Sequence, residues 1–326
     1  MSLMERLGTW RALRREQPVP EDPAVQFGRD AELHLRDMVA AHFKHKGAHL
    51  FAGRRVPCPR RKMRREIDLI VLTPKLISLI EVKNWSGELF DRGPVWVQVR
   101  RTGDELRHPN LIEDNLEKRA AFLDYLRGHG LALERDFAAR YVVQKVVFTN
   151  PNLVVSPAIA RHPDVITSDK LTAFLDRQPA AGFAQRMASS VIALCFGAEA
   201  TRHMTGCLDG VRFTALVKCV ADIRTWDRLR LFGGKVLTGD VYELHIGGRR
   251  LSRDQLGPSG PLPVAWSRGR WGLFKALTGV GKVGRIKLPE QAALPLMARD
   301  EVMFHAVGEP APMMVPLTRV EEIVLG

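Results

Sequence analysis

The run Ile67-Asp68-Leu69-Ile70-Val71-Leu72, a break at Thr73-Pro74-Lys75, and then Leu76-Ile77-Ser78-Leu79-Ile80-Glu81-Val82-Lys83-Asn84-Trp85 decide how this chain folds. Two stretches rich in Ile, Leu and Val flank a proline, which fixes its own φ and removes a ladder donor, so the pattern predicts a β-hairpin. With residues 73–76 as the turn, Leu72 lies across from Ile77. Counting back along both strands puts Asp68 across from Glu81, and directly opposite side chains sit about 4.5–5.5 Å apart at Cβ.

Both strands are apolar at successive positions, the mark of strands covered on each face. Two carboxylates opposed in such surroundings repel each other, and something positive is needed between them. A divalent cation fits, because Mg²⁺ takes oxygen ligands and is commonly held by one or two carboxylates, with water and phosphate completing its octahedron. Lys83, two residues beyond Glu81, points to the same face.

Asp68 with Glu81-Val82-Lys83 resembles the D…(D/E)xK signature of restriction-endonuclease-like nucleases, and the wider stretch resembles their nuclease-related domain (NERD) branch. Gly28-Arg29-Asp30-Ala31-Glu32 is similar to that family's opening helix motif. Glu66-Ile67-Asp68 and Glu81-Val82-Lys83-Asn84-Trp85-Ser86-Gly87 are similar to its centre. Asn110-Leu111-Ile112-Glu113-Asp114-Asn115 is similar to the family's Asn-Pro-x-x-Gln-Asn, with Leu111 in place of proline and Asp114 in place of glutamine; Asp114 is not counted among the site residues. The resemblance spans roughly residues 25 to 150.

It implies an α/β fold with a restriction-endonuclease-like mixed central sheet flanked by helices, and metal-dependent hydrolysis of phosphodiester bonds in nucleic acid, DNA favoured. Asp68 and Glu81 would be Mg²⁺ ligands, with the Val82 carbonyl as a third and Mn²⁺ as a substitute ion. Lys83 would orient the attacking water or steady charge on the phosphorane. Glu32 would be a second-metal ligand or the partner that positions Lys83. Leu35, Val39 and Phe43 recur at helical spacing between Gln26 and about Lys46, and Glu32 extends their stripe toward the N-terminus. The bland alternative for Glu32 is a first-turn acid favoured by the helix dipole.

The chain has 326 residues, 45% of them hydrophobic, enough for two packed domains of ordinary size. A net charge of +13 attracts polyanions. No apolar run approaches the roughly 20 residues of a membrane helix, and no signal peptide is evident, so a soluble cytoplasmic protein without an integral membrane segment is expected. Cys58, Cys195, Cys207 and Cys219 contain no CxxC pair. They read as ordinary thiols, although Cys195, His203, Cys207 and Cys219 could be drawn as a zinc site.

Residues 1–24, with Leu3, Leu7 and Trp10 among arginines, are expected to be a loose arm and linker rather than a short amphipathic helix, residues 25–200 the nuclease-like domain, and residues 205–326 a smaller β-rich domain. Basic Arg54, Arg55, Arg60, Arg61, Lys62, Arg64 and Arg65 precede the strand bearing Asp68 and read as a phosphate-binding cluster or a solvated loop. Val95–Val99 and Tyr141–Thr149 read as strands, Asn110 as the cap of a helix to about Leu126, Ser168 or Asp169 as the cap of a helix from Lys170, and 183–196 as a further helix. Beyond Thr205, Val211–Ala221, Val236–Ile246, Val283–Leu288, Val302–Val307 and Val320–Leu325 read as strands of a small barrel or sandwich. Residues 255–289 carry no acidic side chain but place Arg268, Arg270 and Lys275 among Trp266, Trp271 and Phe274. Interleaved charges and rings are what a single-stranded nucleic-acid platform uses, whereas the flanking glycines equally suit a loop.

Gly279, Gly281 and Gly284 lack P-loop spacing. No ATPase motif is present, and a separate helicase or ATPase partner would have to supply that activity. Two other readings compete with an active nuclease: a nuclease-like module that binds nucleic acid without cutting, and a basic membrane-surface protein anchored by its N-terminal segment.

Overall fold

The computed structural model describes residues 2–43, 48–58, 63–176, 207–289 and 292–326. It forms two compact units, Gln26–Thr225 and a second made of Met1–Val25 with Trp226–Gly326.

The first unit is a mixed sheet covered on both faces. Its strands are β1 (His49–Cys58), β2 (Met63–Leu72), β3 (Ile77–Lys83), β7 (Val142–Phe148) and β9 (Val165–Ile166), hydrogen-bonded in that order. The first three run antiparallel, and β3, β7 and β9 run parallel. The hairpin forms in the expected register: Leu72 faces Ile77 and Leu69 faces Ile80, with Thr73 N–H donating to Leu76 O across the turn. β1 was not anticipated. Its Arg54-Arg55 pair reads as surface charge in the sequence, but here the backbone pairs with β2 from His49 to Cys58, and Arg55, Val56 and Cys58 are buried.

Alternation divides the hairpin's side chains between two cores. Ile70, Leu72, Ile77 and Leu79 pack with Phe122 and Leu126 of helix α3 (Leu111–Gly128) and Phe137 of α4 (Arg135–Tyr141). Leu69, Val71, Ile80 and Val82 pack on the other side with Leu35, Val39 and Phe43 of α2 (Pro23–Phe43) and Leu171 and Leu175 of α6 (Leu171–Asp176). A smaller sheet follows β3. It consists of β4 (Gly87–Asp91), β5 (Val95–Val99), β6 (Glu105–Pro109) and β8 (Leu153–Val155), in the order β6-β5-β4-β8. Gly87 opens it at φ 90°, where a Cβ would lie 2.1 Å from Val99 O. Helix α3 starts where expected, with Asn110 Oδ1 accepting from the Ile112 and Glu113 N–H groups. The helix expected from Lys170 is a 3₁₀ turn, Ser168–Lys170, leading into α6. The helix expected at 183–196 lies outside the described residues.

Two expectations need correction. Gly210–Ala221 is helix α7, not a strand, and belongs to the first unit. Its valines favour a strand, but Asp209 caps the Val211 and Arg212 N–H groups, and Leu216, Cys219 and Val220 form a helical stripe buried in the α3-side core. Residues 3–15 are not a loose arm. They form helix α1 (Leu3–Arg15), opened by a capping box between Ser2 and Glu5, and it packs on α8 (Arg270–Thr278) through Leu7, Trp10 and Leu13 against Ala276, Val283 and Trp266. Arg6 Nε donates to Ala276 O at 2.9 Å, and Val19 pairs with the backbone of Phe232 and Lys235. Leu7 and Trp10 of the segment considered as a lipid anchor are thus packed within its own unit, while Leu3 is exposed. Among the described residues, no helix is long and apolar enough to cross a membrane.

The rest of that unit is a curled antiparallel sheet. Four of the expected strands are present, as β11 (Val236–Ile246), β14 (Gly284–Ile286), β16 (Glu301–Ala306) and β18 (Val320–Leu325). They are joined by β10 (Asp227–Leu231), β12 (Arg249–Ser252), β13 (Gly260–Trp266), β15 (Leu294–Leu296) and β17 (Met313–Pro316) around a core that includes Leu244, Phe304 and Ile323.

Leu13 is only 2% exposed. Leu13→Ala is expected to destabilise the β-rich unit by about 2–5 kcal/mol, the usual cost of such a cavity. Chemical denaturation followed by tryptophan fluorescence reads this directly, and a disposable arm would leave the transition unmoved.

Candidate active site

The ladder between β2 and β3 stops at the pair Leu69 and Ile80. Hydrogen-bonded pairs alternate along an antiparallel ladder, so after Thr73/Leu76, Val71/Ser78 and Leu69/Ile80 the next would join Ile67 to Val82. Instead, the Val82 N–H donates to Asp68 Oδ2 at 2.7 Å. The strands part there, and the opening holds the two carboxylates. Asp68 continues the row of Ile70 and Leu72, and Glu81 that of Ile77 and Leu79, so both face α3.

Glu81 is buried and doubly paired. Lys83 Nζ donates to Oε1 at 2.7 Å, and Lys118 Nζ, from the middle of α3, donates to Oε2. Lys118 also lies 3.7 Å from Asp114 Oδ2, and Asp114 pairs with Arg65, whose other nitrogen is 3.4 Å from Glu117. Burial would raise the Glu81 pKa, but Lys83 and Lys118 outweigh it and hold the group below its ordinary value. Burial, with the Glu81 charge adding to it, pushes Asp68 up to about 8. Lys83 is raised: burial opposes its charge, but Glu81, Asp68 and Glu32 favour it.

Glu32 makes no hydrogen bond to this cluster among the described residues but lies within reach of its charges. It is exposed on α2, one turn before buried Leu35. Burial against the domain, then the charges of Glu66 and Glu81, raise its pKa, while Lys83 and Arg29 lower it. Among the described residues, no three His, Cys, Asp or Glu side chains gather as a metal-binding group, so Glu32 does not complete a three-carboxylate set with Asp68 and Glu81. That also bears on the zinc drawing: Cys207 and Cys219 are buried free thiols, and Cys195 and His203 lie outside the described residues.

The motif residues after Lys83 hold the site's edge. Asn84 joins Thr149 Oγ1 and the Phe27 carbonyl at the start of α2, and Trp85 stacks on His108 with centroids 4.0 Å apart.

The expected basic cluster has other employment. Arg54 caps α7 by donating to the Ala221 and Ile223 carbonyls, Arg55 is buried, and Arg65 is engaged by Asp114 and Glu117. Arg64 is exposed; Arg60, Arg61 and Lys62 lie outside the described residues. In the β-rich unit, Arg268 is likewise structural: it donates to the Leu13 and Thr318 carbonyls and lies over the Phe232 ring. Lys275 donates to Ser267 Oγ. Arg270 and Trp271 remain exposed, Trp271 at 66%, stacked on Phe274 with rings 9° from parallel.

Sequence reasoning missed Lys118 and the Asp114–Arg65 pair. The signal was available: Leu111, Asn115, Lys118 and Phe122 fall on one buried helical stripe, and a lysine there needs an anionic partner.

With this geometry in view, the comparisons with known proteins are specific. The family model described as "Nuclease-related domain" matches residues 27–149. Residues 27–149 are a nuclease-related domain. The fold and the opposed Asp68/Glu81 pair agree with the placement of this family among the restriction-endonuclease-like nucleases. A protein named "Probable kinase PglW" from Streptomyces coelicolor is 28% identical over 115 residues, which are 35% of this chain and 7% of that protein. The chain thus spans a small fraction of the curated relative that it matches. No solved structure matches the chain.

Because folding raises the Asp68 pKa from about 4 to about 8, the folded chain holds that proton more tightly than the unfolded chain. The resulting stabilisation is complete below about pH 4 and is lost as pH rises through about 8. Thermal melts in excess chelator should therefore show wild type losing stability between about pH 5 and 8, with Asp68→Asn flattening this slope; equal slopes would remove Asp68 as its source.

Proposed function

We propose that the nuclease-related domain is a metal-dependent phosphodiesterase acting on nucleic acid, with DNA the favoured substrate, in DNA processing, repair or defence. The observation that carries this reading is the parting of the hairpin at Asp68 and Glu81, which opposes two carboxylates on one face with Lys83 alongside.

The donor set fits a hard divalent cation. Asp68 Oδ1 has no hydrogen-bond partner among the described residues, and burial beside the Glu81 charge raises the pKa of this acid despite Lys83 and Lys118, a setting that a hard cation would relieve. Asp68 and Glu81 would hold Mg²⁺, or Mn²⁺ in its place, with the Val82 carbonyl as a third donor. When bound, the ion supplies an activated water and neutralises charge on phosphoryl oxygens. Lys83 keeps its proton and directs an ammonium toward the reacting phosphate, where it stabilises charge in the transition state. Glu32 acts on Lys83 through charge, as a positioning residue.

Nucleic acid would meet the exposed Arg64 of β2, and Arg60, Arg61 and Lys62, which precede it in the sequence. In the β-rich unit it would meet Arg270 and the Trp271–Phe274 stack, whose faces suit unpaired bases. A cytoplasmic setting and a separate helicase or ATPase partner complete the proposal. Kinase activity is not carried over from the relative, because the matched segment is so small a part of it.

A non-cutting, nucleic-acid-binding module is the second reading. The double pairing of Glu81 with Lys83 and Lys118 favours it, because the site is already charge-balanced without a metal.

Magnesium-dependent cleavage of labelled single- and double-stranded DNA and RNA tests the choice. Asp68→Ala and Lys83→Ala should each lower the rate by about 10²-fold or more while retaining the wild-type circular dichroism spectrum. Folded wild type that binds but does not cut in Mg²⁺ or Mn²⁺ would shift the conclusion to the second reading. Separately, Arg270→Glu with Trp271→Ala should weaken single-strand binding about tenfold or more, since stacking alone is worth about 1–3 kcal/mol per base. Unchanged affinity would clear that face of the role.

A further inference from the structure

The proposed metal ligands raise a problem of occupancy. Each Glu81 oxygen already accepts from an ammonium, so a divalent cation reaching this carboxylate must displace one lysine or share an oxygen with it. The two lysines are not equivalent. Lys118 is 7% exposed, projects from a helix, and lies between Glu81 and Asp114, itself fixed by Arg65. Withdrawing it would leave a buried ammonium and two carboxylates to be re-paired, which is costly in a low-dielectric setting. Lys83 stands at the end of β3 with its side chain three times as exposed, 25% against 8%, and Glu81 is its one hydrogen-bonded partner among the described residues.

We infer that Lys118 is a resident counter-cation of the site: it stays on Glu81, limits the site to one divalent ion and weakens that ion's binding, while Lys83 is the ammonium that the ion displaces. Charge counting supports the limit of one. Asp68 and Glu81 face two ammonium groups, and Asp114 is shared with Arg65, so even with the Glu32 charge that reaches Lys83 included, one divalent ion already makes these groups net positive. A second would have no third carboxylate at the site to hold it among the described residues. Repulsion between a fixed ammonium and a divalent ion a few Å away is appreciable even at an effective dielectric constant of about 20. The arrangement also ties ion binding to chemistry, because displacement frees Lys83 to turn toward substrate. This inference rests on the reading of Asp68 and Glu81 as metal ligands.

The test uses the full chain and Mn²⁺, with bound ion counted by electron paramagnetic resonance in the absence of substrate. Wild type should bind one Mn²⁺ in an Asp68-dependent manner. Lys118→Gln, which keeps a hydrogen-bond donor but removes the charge, should bind Mn²⁺ at least tenfold more tightly, whereas Lys118→Arg should retain wild-type affinity. Unchanged or weaker binding by folded Lys118→Gln overturns the inference while leaving the metal site standing. No Asp68-dependent Mn²⁺ binding by wild type overturns both. A second measurement needs no variant: amine-reactive labelling read by mass spectrometry should increase at Lys83 when Mg²⁺ is added and leave Lys118 protected. Labelling that rises at Lys118 instead, or at neither lysine, would refute the assignment.

Discussion

Like charge held in a dry place is the constraint on which the first unit turns. A hairpin covered on both faces supplies rigidity, and its final pair of facing positions carries acids where every preceding pair is apolar or small. The backbone cannot keep its ladder there: Asp68 takes the Val82 N–H for itself, the strands separate, and the gap is closed electrostatically by lysines from β3 and α3. Arg65 and Asp114 then tie α3 back to β2, so sheet and helix are joined by ion pairs at the point where their apolar contact ends. The interior of the hairpin and the chemistry at its end are parts of one device.

What could be read in advance was local. The hairpin register followed from a proline turn and two apolar runs, α3 from an asparagine capping box, and four strands of the β-rich unit from short valine-rich segments between turn residues. Each of those signals lies within about a dozen positions. What escaped reading depended on distant partners. Arg54 and Arg55 look like surface charge until β2 and the end of α7 give them a place. Val211–Ala221 has the composition of a strand and becomes a helix through one aspartate cap and a core assembled from two other helices, α3 and α4, and the sheet that holds the hairpin. Of the candidate site, the placement of Asp68, Glu81 and Lys83 on one face was legible because register is arithmetic. Lys118 was missed although its helix face is shared with Leu111, Asn115 and Phe122, because a lysine on such a face names no partner until the sheet is placed beside it.

The same distinction explains why charge was a poor guide to binding surfaces. Arginine has five donors and a long apolar stem, so it serves buried carbonyls and carboxylates as readily as phosphate. Arg54, Arg65 and Arg268 are spent in this way. The positive balance of the whole chain still favours polyanions, but the residues free to meet them are fewer than the sequence suggests.

A chain is made from its N-terminal end, and α1 is made before the elements that cover it. Its partner residue Ala276 lies 270 positions beyond Arg6, with the whole nuclease-related domain between them. At about 5–20 residues per second, roughly 15–50 s separate the emergence of the two. Through that interval the face formed by Leu7, Trp10 and Leu13 has no cover of its own, while the intervening domain has all its residues and can fold. The β-rich unit is therefore closed only once α8 has emerged, by a segment made long before it, and a nascent chain awaiting that closure offers an apolar helix to any chaperone within reach.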